Sequence, residues 1–315
     1  MTHENYRVLV TCPPMLRMMD ELRPGFSGLK VELTTPVVTQ TLTVEELKVL
    51  VPQHDGWIIG DDPATREVFT TGKAGRLRAA VKWGVGVDNV DFAACADLGI
   101  PVINTPGMFG NEVADVAMGY VIGLARDTFA IDRGVRAGGW PKPRGISLRG
   151  KTCAILGYGD IGRNVATRMA AAGMEVVIYD PGVTPASVAA PARLMQWPGG
   201  LESADFLVIT CALTPSSHRL VNETSLAGMK RGIRIVNVAR GPIIDERALI
   251  AALRSGQVRS AALDVFEVEP LPADSPLREF DNCIFGSHNG SNTADAVVRT
   301  SEIAMNRLIG FLDGL

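Results

Sequence analysis

Three apolar runs in the second half of this 315-residue chain lead into residues that handle charge or protons. After Ile233–Val238 (IRIVNV) come Ala239, Arg240 and Gly241. The run beginning at Ala261 carries Asp264 near its end, with Glu269 just beyond, and Cys283–Phe285 is followed by Gly286, Ser287 and His288. An arginine can grip a carboxylate through two parallel hydrogen bonds. A histidine titrates near neutrality and can donate or accept a proton. A nearby carboxylate would hold that histidine in one orientation and stabilise its charged form. Taken singly, each residue has a plainer reading: Arg240 as a helix-start or surface arginine, Glu269 as a solvated acid before Pro270, His288 as a hydrogen-bonding loop residue. His218, which follows T-P-S-S, is read as a loop residue without a chemical role.

A second constellation lies at 157–162, where G-Y-G-D-I-G has the spacing of a dinucleotide-binding loop. The hexamer alone is weak; its context makes it specific. The apolar run Thr152–Leu156 precedes it. Ile161, Val165, Met169 and Ala172 follow on one helical face, and the next run, EVVIYD, ends in Asp180. Gly157 would permit the tight turn, Gly159 would let the backbone approach a pyrophosphate, and Gly162 would let helix and strand pack closely. Asp160 and Ile161 open the helix, whose free N–H groups would face phosphates. Asp180 would accept hydrogen bonds from ribose hydroxyls and repel a 2′-phosphate, which favours NAD over NADP. Hydride transfer between a nicotinamide and a C–OH or C=O carbon needs a proton partner, and the arginine, the carboxylates and the histidine would supply it at the same sheet edge.

Positioning these residues requires a parallel sheet. Apolar runs recur at Arg7–Thr11, Leu29–Leu33, Gly56–Gly60, Ala80–Trp83 and Pro101–Asn104. They recur again at Thr152–Leu156, Glu175–Asp180, Asp205–Thr210, Ile233–Val238, Ala261–Val265 and Cys283–Phe285. A spacing of roughly 20–30 residues is that of βα units, so two sets predict an α/β protein with two doubly wound parallel sheets. Thr43-Val44-Glu45-Glu46 reads as a capping box, Asn89–Leu98 ends at Gly99, and Asp245–Ser255 stops at Gly256. The small-residue-rich stretch Glu112–Val135 is expected as one long helix that could connect the domains. Gly138–Gly150 reads as a loop, and the tail after Ser291 as a helix with Val297, Ala304, Leu308 and Phe311 on one face.

Bulk properties exclude several classes. A net charge of −3 favours neither nucleic acid nor an anionic membrane as partner. No apolar run approaches the ~20 residues that span a bilayer, and the polar start is unlike a signal peptide. Cys12, Cys95, Cys153, Cys211 and Cys283 are odd in number and widely spaced, as expected of free thiols in a reducing cytoplasm. His3, His54, His218 and His288 lack metal-ligand spacing, so no metal is expected.

Over nearly its whole length the sequence resembles the D-isomer-specific 2-hydroxyacid dehydrogenases, in particular the phosphoglycerate-dehydrogenase-like members. The resemblance rests on KWGVGVDNVD (82–91), VINTPG (102–107), LRGKTCAILGYGDIG (148–162), NVARGPIIDERALIAAL (237–253), ALDVFEVEPL (262–271) and HNGSNT (288–293) in that order. It implies a discontinuous flavodoxin-like substrate domain, 1–104 with 288–315, a Rossmann cofactor domain, 105–287, and an active site in the cleft. It implies that Arg240 binds the substrate carboxylate and that His288 is the acid/base paired with Glu269. The Gly84-Val85-Gly86 backbone would cradle the carboxylate. Asp264 would contact the nicotinamide carboxamide, and Val238, Ala239 and Arg240 would border the ring. The activity implied is NAD-dependent interconversion of a small 2-oxo acid and a D-2-hydroxy acid by a cytoplasmic homodimer.

The chain departs from the family pattern at several points. Thr210 stands where a histidine is common near the cofactor. Asn289-Gly290-Ser291 alters the lip of the pocket, and Asp115 replaces a usual glutamate. Where phosphoglycerate dehydrogenases carry basic residues after the third strand, this chain reads GDDPATR; Asp61 and Asp62 would repel a phosphate, with Lys82 and Arg66 as the cations able to compensate. The end at Leu315 implies no C-terminal regulatory domain. Two rival readings share the fold. One is an NAD-sensing corepressor-like protein, which would need partner-binding extensions. The other is a formate or phosphite dehydrogenase; the formate enzymes usually carry glutamine where Glu269 stands.

Overall fold

The structure is a computed structural model and describes residues 5–314; His3 and the outermost ends of the expected substrate domain lie outside the described residues. The chain divides into two compact units, Met1–Met108 with Asn292–Leu315, and Phe109–Ser291.

The first unit is built on β1 (Tyr6–Val10), β2 (Val31–Thr34), β3 (Gly56–Ile59), β4 (Ala79–Lys82) and β5 (Val102–Asn104), in the order β2-β1-β3-β4-β5 with every pairing parallel. β3 and β4 are buried along their whole length, which is why they read as continuous rather than alternating apolar runs. The C-terminal helix Ala294–Asp313 packs on both. Gly56 leaves room for it: a Cβ there would stand 2.9 Å from the Leu308 side chain. The capping box opens the helix Val44–Leu50, where the Glu46 carboxylate accepts from the Thr43 N–H at 2.8 Å. Gly99, at φ +62°, ends the helix Phe92–Leu98.

The second unit contains β6 (Thr152–Leu156), β7 (Glu175–Tyr179), β8 (Arg193–Leu194), β9 (Phe206–Ile209), β10 (Ile233–Asn237), β11 (Val258–Leu263) and β12 (Ile284–Phe285). Their order is β12-β11-β10-β9-β6-β7-β8, again wholly parallel. The fold is thus α/β with two doubly wound sheets, the expected class. Strand order reverses between β6 and β9, and the crevice beyond such a reversal is where open parallel sheets bind ligands.

Three expectations need correction. The stretch expected as one helix over Glu112–Val135 is two, Gly110–Arg126 and Thr128–Arg136, broken where Asp127 turns left-handed at φ +54°. Both belong to the second unit, so neither connects the two. β8 was not among the apolar runs, because it is two residues long and one is arginine. β11 starts at Val258 rather than Ala261, since exposed Arg259 and buried Ser260 interrupt the apolar signal.

Candidate active site

The glycine loop joins β6 to the helix Asp160–Ala171. Gly157 sits at φ +100°, and a Cβ on it would lie 2.6 Å from the Cys211 backbone; one on Gly162 would strike the Gly157 carbonyl. Both glycines are therefore demanded by the protein's own packing. Gly159 is different, because a Cβ there would meet no protein atom within 4 Å. That open space over an uncapped helix N-terminus is what a pyrophosphate needs, so the loop fits a dinucleotide. Thr210 ties the loop to the end of β9: its hydroxyl donates to the carbonyls of Gly157 at 2.9 Å and Leu156 at 3.2 Å. Asp180, after β7, accepts the N–H of Tyr158 at 2.7 Å on one oxygen and that of Gly182 at 2.8 Å on the other. Each oxygen keeps a second lone pair for a ribose hydroxyl. Asp160 and Ile161 form the helix's first turn, where the Asp160 carbonyl accepts from Asn164 at 3.0 Å.

The arginine turn follows β10. Buried Asn237 spans it, accepting the Ala239 N–H at 3.0 Å and donating to the Arg240 carbonyl at 2.9 Å. The Val238 N–H donates to Ile209 at 3.3 Å, and Arg240 Nη1 to the Ala239 carbonyl at 2.8 Å. Gly241 then packs so tightly on Phe266 that any Cβ would collide with that backbone. This contact matters because the Phe266 N–H donates to Glu269 Oε1 at 3.0 Å, and Glu269 Oε2 lies 2.7 Å from His288 Nδ1. The turn bearing the arginine and the acid–histidine pair thus form one packed assembly. The Nδ1–Glu269 contact fixes the orientation of the imidazole ring. His288 itself is held at φ +54°, a left-handed conformation uncommon for a side chain other than glycine.

Asp264 is 3% exposed, and its carboxylate is engaged within the protein: Oδ2 accepts the Gly290 N–H at 2.9 Å and Oδ1 the Tyr120 hydroxyl at 3.2 Å. Its carbonyl accepts the His288 N–H at 2.7 Å. Sequence reasoning missed Tyr120 altogether, since one tyrosine in a small-residue helix carries no sign of the carboxylate it will meet. Asn237 could have been found, because an asparagine at the end of a buried strand needs polar partners.

Within the first unit, Gly84-Val85-Gly86 follows β4. The Gly84 N–H is spent on the Thr105 hydroxyl at 2.8 Å, which leaves Val85 and Gly86 as the expected donors. The expectation for Asp61 and Asp62 changes. Asp62 is fully buried, where its carboxylate accepts the N–H of Leu42 at 2.8 Å and of Gly60 at 3.2 Å and the Thr11 hydroxyl. It is a structural brace and cannot face a substrate. Burial pushes its carboxyl up, against those hydrogen bonds. Asp61 is the half-exposed acid, paired with Lys82 at 3.0 Å. Lys82 is itself buried and spends its other protons on the carbonyls of Gly60 and Trp83 at 2.7 and 3.2 Å. Arg66 pairs with Asp97 at 2.7 Å.

Residues 118–290 match the D-isomer specific 2-hydroxyacid dehydrogenase, NAD binding domain. The hydroxypyruvate reductase of Thermotoga maritima is 36% identical over 82% of this chain and 85% of its own length. This chain belongs to the D-isomer specific 2-hydroxyacid dehydrogenase family. The D-3-phosphoglycerate dehydrogenase 2, chloroplastic, of Arabidopsis thaliana is 38% identical over 90% of the chain and 46% of its own length. The chain therefore spans about half the length of the D-3-phosphoglycerate dehydrogenases it matches. A solved protein from Thermus thermophilus superposes with a TM-score of 0.86 at 34% identity, covering 98% of this chain and 97% of the other. The matched domain is an NAD-binding one, which implies that the chain binds NAD(H).

Proposed function

We propose that this dehydrogenase-family chain interconverts a small 2-oxo acid and the corresponding D-2-hydroxy acid, with NAD(H) in preference to NADP(H). The observation that carries the reading is the His288–Glu269 pair at 2.7 Å, packed through Phe266 and Gly241 against the turn that bears Arg240. Bound NAD(H) supplies or accepts the hydride. Arg240 grips the substrate carboxylate and polarises its carbonyl, aided by the N–H groups of Val85 and Gly86. His288 Nε2 gives a proton to the nascent alkoxide in reduction and takes it back in oxidation. Glu269 holds the ring and favours its charged form. Gly159 and the first N–H groups of Asp160 and Ile161 receive the pyrophosphate, and Thr210 keeps that loop closed. Asp180 takes the ribose hydroxyls, while Val238, Ala239 and Asp264 line the nicotinamide.

The substrate we assign is unphosphorylated. Of the two cations able to compensate, Lys82 at the end of β4 is engaged by Asp61 and two carbonyls, and Arg66 by Asp97. A homodimer in the cytoplasm completes the reading. Its support is the exposed Ile122, Phe129, Val135 and Trp140 in and after the helices Gly110–Arg126 and Thr128–Arg136, together with five free cysteines. Among the described residues, no helix is long and apolar enough to cross a membrane. The test is NADH oxidation with glyoxylate, pyruvate, hydroxypyruvate and 3-phosphohydroxypyruvate. Turnover is expected with at least one unphosphorylated acid, at a kcat/KM at least ~tenfold above that for the phosphorylated one, ~1.4 kcal/mol. Tight NADH binding with no turnover on any acid would refute the assignment and favour a sensor.

A further inference from the structure

The turn that carries His288 needs an explanation of its own. Residues 288–290 leave β12 with His288 left-handed, and a non-glycine residue stays there only when its surroundings hold it. Asp264 holds both ends of the turn, taking the His288 N–H on its carbonyl at 2.7 Å and the Gly290 N–H on its carboxylate at 2.9 Å. The turn is therefore as well placed as that carboxylate. A carboxylate on a short side chain has two orientations of similar cost unless its second oxygen is also claimed. Here the second oxygen accepts the hydroxyl of Tyr120, from the middle of the helix Gly110–Arg126, at 3.2 Å. Burial, and the negative charge of Asp264 beside it, push the Tyr120 phenol up, so it stays a donor at every working pH. The space for this bond is made by Gly286, where any Cβ would collide with both the Asp264 carboxylate and the Tyr120 hydroxyl. A side chain at 286 and a phenol at 120 exclude each other, so the two residues form one device.

We propose that Tyr120 is a positioning residue for the reaction: its hydroxyl fixes the Asp264 carboxylate, which holds the 288–290 turn so that the His288 ring meets Glu269. The inference rests on the assignment of His288 as the acid/base, and it adds a residue outside the six stretches that carry the family resemblance. The phenol touches neither substrate nor cofactor in this scheme; it acts through Asp264 alone. Tyr120→Phe removes one oxygen and keeps the ring that fills the core. Freed from the hydroxyl, Asp264 rotates, the turn samples a second conformation, and the ring spends less time against Glu269.

Two measurements on the full chain test this. In the first, kcat, KM for the best 2-oxo acid, NADH Kd and Tm are compared for wild type and Tyr120→Phe. We expect kcat to fall on the order of tenfold, ~1.4 kcal/mol, with KM held within about twofold, NADH Kd changed clearly less than kcat, and Tm lowered by only a few degrees. In the second, imidazole resonances are recorded on histidine-labelled protein without substrate, with His288→Gln identifying the His288 signals. Tyr120→Phe should shift or broaden those signals and leave those of His54 and His218 in place. An unchanged kcat with unmoved His288 signals overturns the proposal. So does a loss of kcat matched by an equal weakening of NADH binding, or one accompanied by movement of the His54 signals, because the tyrosine would then be ordinary packing. If the wild type turns over no 2-oxo acid while the His288 signals still move, the assigned reaction fails and the support of the turn by Tyr120 stands.

Discussion

Glu269→Gln tests the assigned mechanism most directly. The carboxylate accepts on both oxygens, from the Phe266 N–H at 3.0 Å and from His288 Nδ1 at 2.7 Å. A glutamine has one oxygen, so if it keeps the Phe266 bond it presents an N–H to the imidazole and disfavours a proton on Nδ1. The charge itself is the larger loss. With charge centres ~4 Å apart and an effective dielectric of ~20, a carboxylate and an imidazolium attract by ~4 kcal/mol. The two side chains retain 23% and 21% of their exposure, so solvent screening and desolvation reduce that figure. Halving it leaves ~2 kcal/mol of preference for the charged ring. The sign follows from the role. The carboxylate favours the charged ring, so its removal lowers the pH at which the ring loses its proton. In reduction, which needs the imidazolium, the upper limb of the kcat/KM–pH profile should move to lower pH. In oxidation, which needs the neutral ring, the lower limb should move down by a similar amount. The assay is a pair of profiles for wild type and variant with substrate below KM, under conditions where product release does not limit. Superimposable profiles would refute the pairing and return Glu269 to the role of a loop brace for Phe266.

Three further outcomes are expected. The role proposed for Asp180, taking the ribose hydroxyls and opposing a 2′-phosphate, predicts that kcat/KM for NADH exceeds that for NADPH by at least ~tenfold and that Asp180→Ala narrows the gap; equal use of both cofactors by the wild type would remove that role. Arg240→Lys keeps the charge but loses the planar two-point grip, so KM for the oxo acid should rise while NADH Kd stays put; a loss of NADH binding alone would place the arginine elsewhere. At Asp205, burial raises the carboxyl, but Lys230 at 2.7 Å and the Thr152 N–H at 3.0 Å outweigh it and leave the group below its usual value. Stability from such a depressed acid is present above its unfolded value of ~3.9 and is lost as pH falls through the folded one, so Asp205→Asn should lower Tm at neutral pH, with the deficit closing below about pH 4.

What could be read from the sequence follows from how each feature is encoded. Strands buried on both faces of a parallel sheet must be apolar throughout, so β3, β4, β6 and β9 announce themselves within a residue or two of their ends. β8 lies at the edge of its sheet and has only β7 to pair with, so two residues suffice and no apolar run marks it. The break at Asp127 was hidden for a different reason. The left-handed residue there is an aspartate, which enters that region more readily than most side chains but leaves no glycine or proline as a signal.

The site divides along the same line. Arg240, Glu269 and His288 could be named because a motif places each at the end of a strand, and strand ends in a parallel sheet converge. The residues that hold them could not, because their partners lie far along the chain: Tyr120 meets Asp264 across 144 positions, and Asp62 meets Thr11 across 51. Asp61 and Asp62 make the point most sharply. They are chemically identical neighbours, and charge counting assigns both to the substrate. Yet one is buried under Leu42 and Thr11 while the other is half-exposed and pairs with buried Lys82. Composition after β3 therefore overstates the negative charge available to a substrate by one unit, and Lys82 offsets what remains. A near-neutral patch still offers a phosphate no counter-charge, so the proposal of an unphosphorylated acid rests on want of attraction rather than on repulsion. The difference is measurable. Asp61→Asn should improve 3-phosphohydroxypyruvate only slightly, by about fivefold or less, because a partly exposed pair contributes ~0–1 kcal/mol. A gain of a hundredfold would mean that the carboxylate had been repelling the phosphate after all.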